Sequence, residues 1–266
     1  MNWQQLVIGK FSWWRLIRLP VIIYVVLLVM GGCFSYLLIF PYRGCSYDES
    51  LRGLRFLPQE DGERLAMTFH QAPNEKYLAL YLHGNASDLG TIYPITYEQL
   101  RHGVSVLAID YPDYGLSGGK PTEASTIDAA EMAYQEALKM GYRPEQILIW
   151  GRSIGSGVAM GLAERVPARA VVLDCPFASA FTVRTHVRLL PFDRFDSEAR
   201  ARTLDKPLFI IHAEHDEIIH PNHSKKLIAA HQGQHERHVI PDATHNTVWE
   251  HNLEEVWESL FAFLEQ

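Results

Sequence analysis

Ile147-Leu148-Ile149-Trp150-Gly151-Arg152-Ser153-Ile154-Gly155 is the stretch on which the reading of this chain turns. Its first four residues are a continuous apolar run, as expected for a strand buried on both faces. The residues after Ser153 carry small and aliphatic side chains suited to a packed helix. Between strand and helix, glycines stand two before and two after a serine. That suits a turn so sharp that a side chain at either place would collide with neighbouring backbone. A serine held this way is a nucleophile elbow, and Ser153 is the expected nucleophile.

On both sides of the elbow, short aliphatic runs alternate with longer amphipathic ones, the rhythm of an α/β fold with a mostly parallel sheet covered by helices. Strands are expected over residues 64–70, 77–82, 104–109, 147–150, 170–173, 208–212 and 238–240. Helices are expected over 91–102, 123–140, 154–164, 223–231 and 247–264. In the second of these, Ile127, Ala130, Ala133, Tyr134 and Ala137 recur at helical spacing with charged residues between them, so one face lies on a sheet. Gly115-Leu116-Ser117-Gly118-Gly119 repeats the elbow pattern, but it stands several residues past its strand and runs into Lys120-Pro121. That is a loop, and Ser117 is a decoy.

Ser153 needs a base, and behind this kind of elbow the order is serine, acid, histidine, each on a loop after a successive strand. Asp216 follows the strand 208–212, and His245 follows the strand 238–240. His245 would take the hydroxyl proton and return it to the leaving group, while Asp216 fixes the tautomer of the imidazole. Glu214 and Asp242 are the alternative acids, less well placed than Asp216 in the turn after its strand. Leu82-His83-Gly84-Asn85-Ala86 ends the strand 77–82 and reads as an oxyanion loop, with the backbone N–H groups of Asn85 and Ile154 as the expected donors. His83 is expected to hold that loop rather than to react.

The N-terminus carries a different signal. Residues 21–40 contain no charged side chain and are long enough as a helix to cross a hydrocarbon core of ~30 Å. Lys10, Arg15 and Arg18 precede the run and Arg43 follows it, with Trp13, Trp14 and Tyr42 where aromatic rings favour the lipid boundary. Met30-Gly31-Gly32-Cys33 loosely resembles a lipoprotein cleavage site, yet 34–40 stays apolar, which favours an uncleaved single-pass anchor. Arg52 and Arg55 offset the basic residues on the other side, so charge assigns no orientation. The expected organisation is a juxtamembrane segment 1–18, a transmembrane anchor 19–40, a linker 41–52 and a domain 53–266. A chain starting near Gly44 is expected to be soluble and active.

Composition narrows the partners. The chain has 266 residues, 47% hydrophobic, with a net charge of −7 and no Lys/Arg-rich run, so nucleic acid is excluded as a partner class. Cys33, Cys45 and Cys175 are odd in number and far apart, unlike a disulfide scaffold. Cys175 follows a strand but lacks elbow glycines and reads as a small buried residue. His212, Glu214, His215, Asp216, His220 and His223 resemble a ligand set, but strand-to-loop spacing scatters them, and no metal is expected. Between strands 170–173 and 208–212 there is room for a small cap, in which Phe177, Phe181, Leu189, Leu190, Phe192 and Phe195 would line an acyl pocket or belong to the core.

His83-Gly84-Asn85, Asp110-Tyr111 with Tyr114-Gly115-x-Ser117-x-Gly119, Gly151-x-Ser153-Ile154-Gly155, Pro176-Phe177-x-Ser179 and Asp216-x-x-Ile219 follow one another from Gly53 to the C-terminus. In that order they resemble the α/β-hydrolases, and within them the small membrane-anchored serine hydrolases that include protein depalmitoylases. The resemblance implies an eight-stranded α/β-hydrolase fold and hydrolysis of acyl esters or thioesters without cofactor or metal. A lipid or an acylated protein is then the implied substrate. One departure is Pro112-Asp113, where that family more often has a basic or small residue and then glycine. The competing expectations are a serine peptidase, since the same triad cleaves amides, and a catalytically silent interaction module.

Overall fold

The computed structural model describes residues 13–41, 44–59 and 62–266. Lys10, Tyr42 and Arg43, expected at the lipid boundary, lie outside the described residues. Eight strands form one sheet: β1 Leu54–Pro58, β2 Arg64–His70, β3 Tyr77–Leu82, β4 Val104–Ile109, β5 Ile147–Arg152, β6 Ala170–Asp174, β7 Leu208–Ala213 and β8 His235–Ile240. They are ordered β1-β2-β4-β3-β5-β6-β7-β8. β2 pairs antiparallel with β1 and β4, and every pairing from β4 through β8 is parallel. β1 escaped the sequence pattern because it is a short edge strand of broken alternation that closes on Pro58, which an edge tolerates.

The helices are α1 Trp13–Val29, α2 Ser35–Ile39, α3 Tyr93–Arg101, α4 Glu123–Lys139, α5 Ile154–Ala163, α6 Thr182–Thr185, α7 Ser197–Ala201, α8 Asn222–Ala230 and α9 Glu254–Leu264. One turn of π-helix, Met30–Phe34, joins α1 to α2. Together Leu16–Ile39 make an apolar helical run of 24 residues with mean hydropathy 2.5, long enough to cross a membrane. α9 starts later than the periodicity suggests, because Val248–Glu250 form a separate 3₁₀ turn.

Alternation along β5 divides the core. Ile147 and Ile149 face the layer that holds Val158 of α5 and Ala130 of α4, whereas Leu148 and Trp150 face Trp257 and Leu260 of α9. Parallel register aligns Leu82 of β3 with Gly151 of β5, and Arg152 with Asp174 of β6. The loops after β3, β5, β7 and β8 therefore open at one edge, where open α/β sheets bind their ligands.

Candidate active site

The elbow takes the form its sequence demands. Ser153 sits at φ +51° and ψ −118°, between the end of β5 and the first turn of α5. A Cβ on Gly151 would lie 2.3 Å from the Gly155 carbonyl oxygen, and one on Gly155 would lie 2.0 Å from that of Leu82. Both glycines are therefore steric necessities. The Ser153 N–H donates to the Asp174 carbonyl at 2.9 Å, which ties the turn to β6.

Two loops complete the constellation. His245 Nε2 lies 3.1 Å from Ser153 Oγ, and His245 Nδ1 lies 2.7 Å from Asp216 Oδ2. All but the partly open serine are buried: Asp216 is 6% and His245 4% exposed. Burial works to raise the Asp216 carboxyl, but hydrogen bonds from His212 and His245 outweigh it and hold the group well below the usual carboxylate range. Its Oδ1 also accepts the N–H groups of Ile218 and Ile219 at 3.0 and 2.6 Å. An ionised carboxylate accepts only, so Nδ1 of His245 donates to it and Nε2 is left to accept from the Ser153 hydroxyl. The alternative acids are elsewhere: Glu214 and Asp242 are exposed, and the Glu214 carboxylate accepts the Asp242 N–H at 3.3 Å.

The loop after β3 packs directly beside the serine, with the Gly84 position facing Ser153 Cβ. Among the described residues, neither the Asn85 nor the Ile154 N–H has an intramolecular acceptor. Ile154 is the first residue of α5, where amides are orphaned by helix geometry. His83 is fully buried with Nδ1 2.8 Å from the Gly84 carbonyl oxygen. Its Nε2 lies 3.1 Å from Asp110 Oδ1, off the hydrogen-bond direction, and the Tyr111 hydroxyl donates to the His83 carbonyl at 2.8 Å. This is a brace under the loop. Ser117 is likewise structural: its Oγ donates to the Asp110 carbonyl at 2.9 Å and accepts the Ala66 N–H at 2.8 Å. At the departure from the family pattern, Asp113 itself takes the positive φ of +66° that a glycine would supply.

Four supporting residues were not legible as such. Arg152 donates to the His245 carbonyl at 3.0 Å, and its guanidinium lies 3.8 Å from the buried Asp174 carboxylate, which also accepts the Trp249 indole N–H at 2.6 Å. Glu217 accepts the His245 N–H at 3.1 Å. These contacts pin the backbone of the His245 loop from both sides. The signal for Arg152 was its place inside the elbow; nothing local marked Glu217 or Trp249.

Cys175, His212 and Asp216 bring their polar atoms within 4.8 Å of one another, as do the exposed Glu214, His215 and Asp242. In the buried group the His212 Nε2 is engaged 2.8 Å from the Ile219 carbonyl oxygen. Burial, with Asp174 and Asp216 close by, pushes the Cys175 thiol well up, which makes it a poor thiolate ligand and a poor nucleophile.

Ser153 and His245 open into a cavity of about 740 Å³. Phe177, Phe181, Leu189, Leu190 and Phe192 line it, as the cap reading allows. Phe195 does not: it is buried in the core, edge-on to Phe40 and Phe177. Across from the cap, the cavity is lined by the C-terminal half of the apolar helix, including Leu27, Met30, Leu38 and Ile39.

Known proteins share both sequence and architecture with this chain. The sequence model of the alpha/beta hydrolase family matches residues 79–204. Human alpha/beta hydrolase domain-containing protein 17B is 35% identical over 195 residues, covering 70% of this chain and 67% of that protein. Mouse alpha/beta hydrolase domain-containing protein 17C is 35% identical over 159 residues, 57% of this chain and 49% of the relative. Among solved structures, an esterase of Pyrococcus furiosus superposes with a TM-score of 0.65 at 22% identity, covering 84% of this chain and 95% of its own. On the strength of the human relative and of the shared sheet, the chain belongs to the α/β-hydrolase family.

Proposed function

We propose that the protein is a membrane-anchored serine hydrolase that cleaves acyl esters or thioesters through an acyl-enzyme. The observation that carries this reading is the unbroken hydrogen-bonded line from Ser153 through His245 to Asp216, at 3.1 and 2.7 Å, at the foot of an apolar cavity. His245 takes the Ser153 proton as Oγ attacks the acyl carbonyl, and the negative charge that develops on oxygen meets the N–H groups of Asn85 and Ile154. Two such donors are worth on the order of 10²–10³ each in rate. Collapse breaks the bond to the alcohol or thiol, which leaves with the proton from His245. Water, activated by the same imidazole, then frees the acid. No metal or cofactor enters this sequence of steps.

Esters and thioesters are favoured over peptides because the cavity is lined mainly by apolar side chains, with Arg152, Arg184 and Asp193 as its charged lining. The substrate would be a lipid or an acylated protein. The organisation we propose is a juxtamembrane segment 1–18, an anchor 19–40, a linker 41–52 and a hydrolase domain 53–266, with Leu16–Ile39 as the single pass. Carbonate extraction tests the anchor, and release of the full chain into the supernatant would refute it. Fluorophosphonate labelling followed by an ester, thioester and peptide panel tests the chemistry. Ser153→Ala should lose both labelling and turnover; a labelled Ser153→Ala protein would sink the assignment, and turnover of peptides alone would favour the peptidase. Wild-type protein that neither labels nor turns over would leave a silent module.

A further inference from the structure

The apolar helix does more than hold the domain at a membrane. Its last turns are bolted to the domain: Arg194 donates to the Gly32 carbonyl at 3.0 Å and to Ser35 Oγ at 3.3 Å, and its guanidinium lies 4.7 Å from the Tyr36 ring centre. Phe40 is 1% exposed, wedged edge-on between Tyr114 and Phe195. Asn85, whose backbone N–H is the proposed oxyanion donor, gives its side-chain amide to the Ile39 carbonyl at 2.8 Å and accepts the Tyr114 hydroxyl. The helix end is thus tied to the loop beside Ser153. At Gly31 the approach is so close that a Cβ would lie 2.5 Å from Leu190 Cδ1.

This docking places membrane helix and cavity in one plane. Leu16–Ile39 has 24 residues, a length of about 36 Å at 1.5 Å per residue, longer than the ~30 Å of a hydrocarbon core. Its domain-bolted end therefore reaches the membrane surface, and the cavity wall lies at and just inside that surface. Leu27, Met30 and Leu38 from the helix and Leu189 and Ile218 from the domain all line the cavity and are exposed. A ring of large apolar side chains in water is costly, and it is relieved when the ring faces lipid.

We propose that residues 27–39 of the membrane helix form one wall of the substrate site. On this view the substrate is a long-chain acyl ester or thioester whose chain resides in the bilayer and slides along that helix to bring its carbonyl to Ser153. The inference rests on the hydrolase reading and adds to it the substrate's physical state and the residues that select it. A chain drawn from lipid into an apolar cavity never crosses water, so no hydrophobic cost opposes its entry.

The test uses the full chain in phosphatidylcholine vesicles and a hexadecyl fluorophosphonate with a diazirine at the far end of the chain. Once Ser153 is phosphonylated, irradiation should cross-link the probe to residues within 27–39. Cross-links confined to residues 177–192 and 218 would overturn the wall. Failure to phosphonylate Ser153 would overturn the hydrolase reading itself. In a second arm, Met30→Trp and Leu38→Trp should lower the ratio of hexadecanoyl to butyryl ester turnover by roughly tenfold or more through overpacking. Val21→Trp, on the same helix outside the cavity, should leave the ratio alone. An unchanged ratio in both cavity variants would overturn the selecting role. Hexadecanoyl ester presented on albumin should turn over more slowly than the same amount in the vesicles, and the reverse order would overturn entry from the bilayer.

Discussion

Asp216→Asn keeps the shape of the side chain and changes what it offers His245. The Oδ1 atom accepts from the Ile218 and Ile219 amides, so these two donors hold the asparagine carbonyl at that place and turn its NH₂ toward the imidazole. A donor facing Nδ1 forces the ring proton onto Nε2, and that nitrogen then cannot take the Ser153 proton. The charge is lost as well. An imidazolium and a carboxylate about 4 Å apart interact by ~4 kcal/mol at an effective dielectric of about 20, or on the order of 10³ in rate. With the tautomer penalty added, turnover of p-nitrophenyl butyrate should fall by about 10³–10⁴ at neutral pH. Circular dichroism should show a folded protein. Glu214→Gln and Asp242→Asn, exposed and away from the imidazole, should stay within about twofold of the parent. If either of those were crippled while Asp216→Asn kept most of its turnover, the assignment of the acid would be wrong.

Three further outcomes follow from individual contacts. Ser117→Ala should keep full fluorophosphonate labelling, yet lose about 1–3 kcal/mol in denaturant titration, because the buried Ala66 N–H is left without its acceptor. Gly155→Ala drives a Cβ against the Leu82 carbonyl, so it should cost about 3 kcal/mol or more and slow turnover by displacing the oxyanion loop; a stable, fully active variant would refute the steric argument. Burial, with Lys226 nearby, pushes His223 down to about 4 from its usual 6.5, and its Nδ1 accepts the Ala178 N–H, a role only the neutral ring can fill. The unfolded chain then binds the extra proton first, so stability is full above pH ~6.5 and falls as pH drops toward ~4. His223→Gln should flatten the melting temperature over that window, and an unchanged slope would show that other groups govern it.

Most of the sheet was legible because buried parallel strands write themselves as aliphatic runs and the elbow writes itself as two glycines about a serine. Loop placement alone singled out Asp216 and His245, which lie 2.7 Å from each other and, through His245, 3.1 Å from Ser153. What stayed hidden has a common physical character. β1, on an edge with half-buried residues, has no clean period to read. Glu217 reaches His245, Asp174 reaches Arg152 from the next strand and Trp249 reaches Asp174, and nothing in their neighbours in sequence marks such a contact. The apolar helix was legible as a span but not as a wall, since its hydropathy is the same whether lipid or Leu190 faces it. Contacts such as Arg194 to Gly32 therefore weigh against the expectation that a chain starting near Gly44 would be active.

Ser153 sits at a φ and ψ that glycine tolerates and serine does not, a conformation that costs on the order of 1–3 kcal/mol. The surrounding sheet holds it there against its own preference. It follows that Ser153→Gly should melt at a higher temperature than the parent while losing all turnover. A protein under selection for endurance alone would make that exchange, so on the proposed reading the strained serine trades thermal resistance for reactivity held in place.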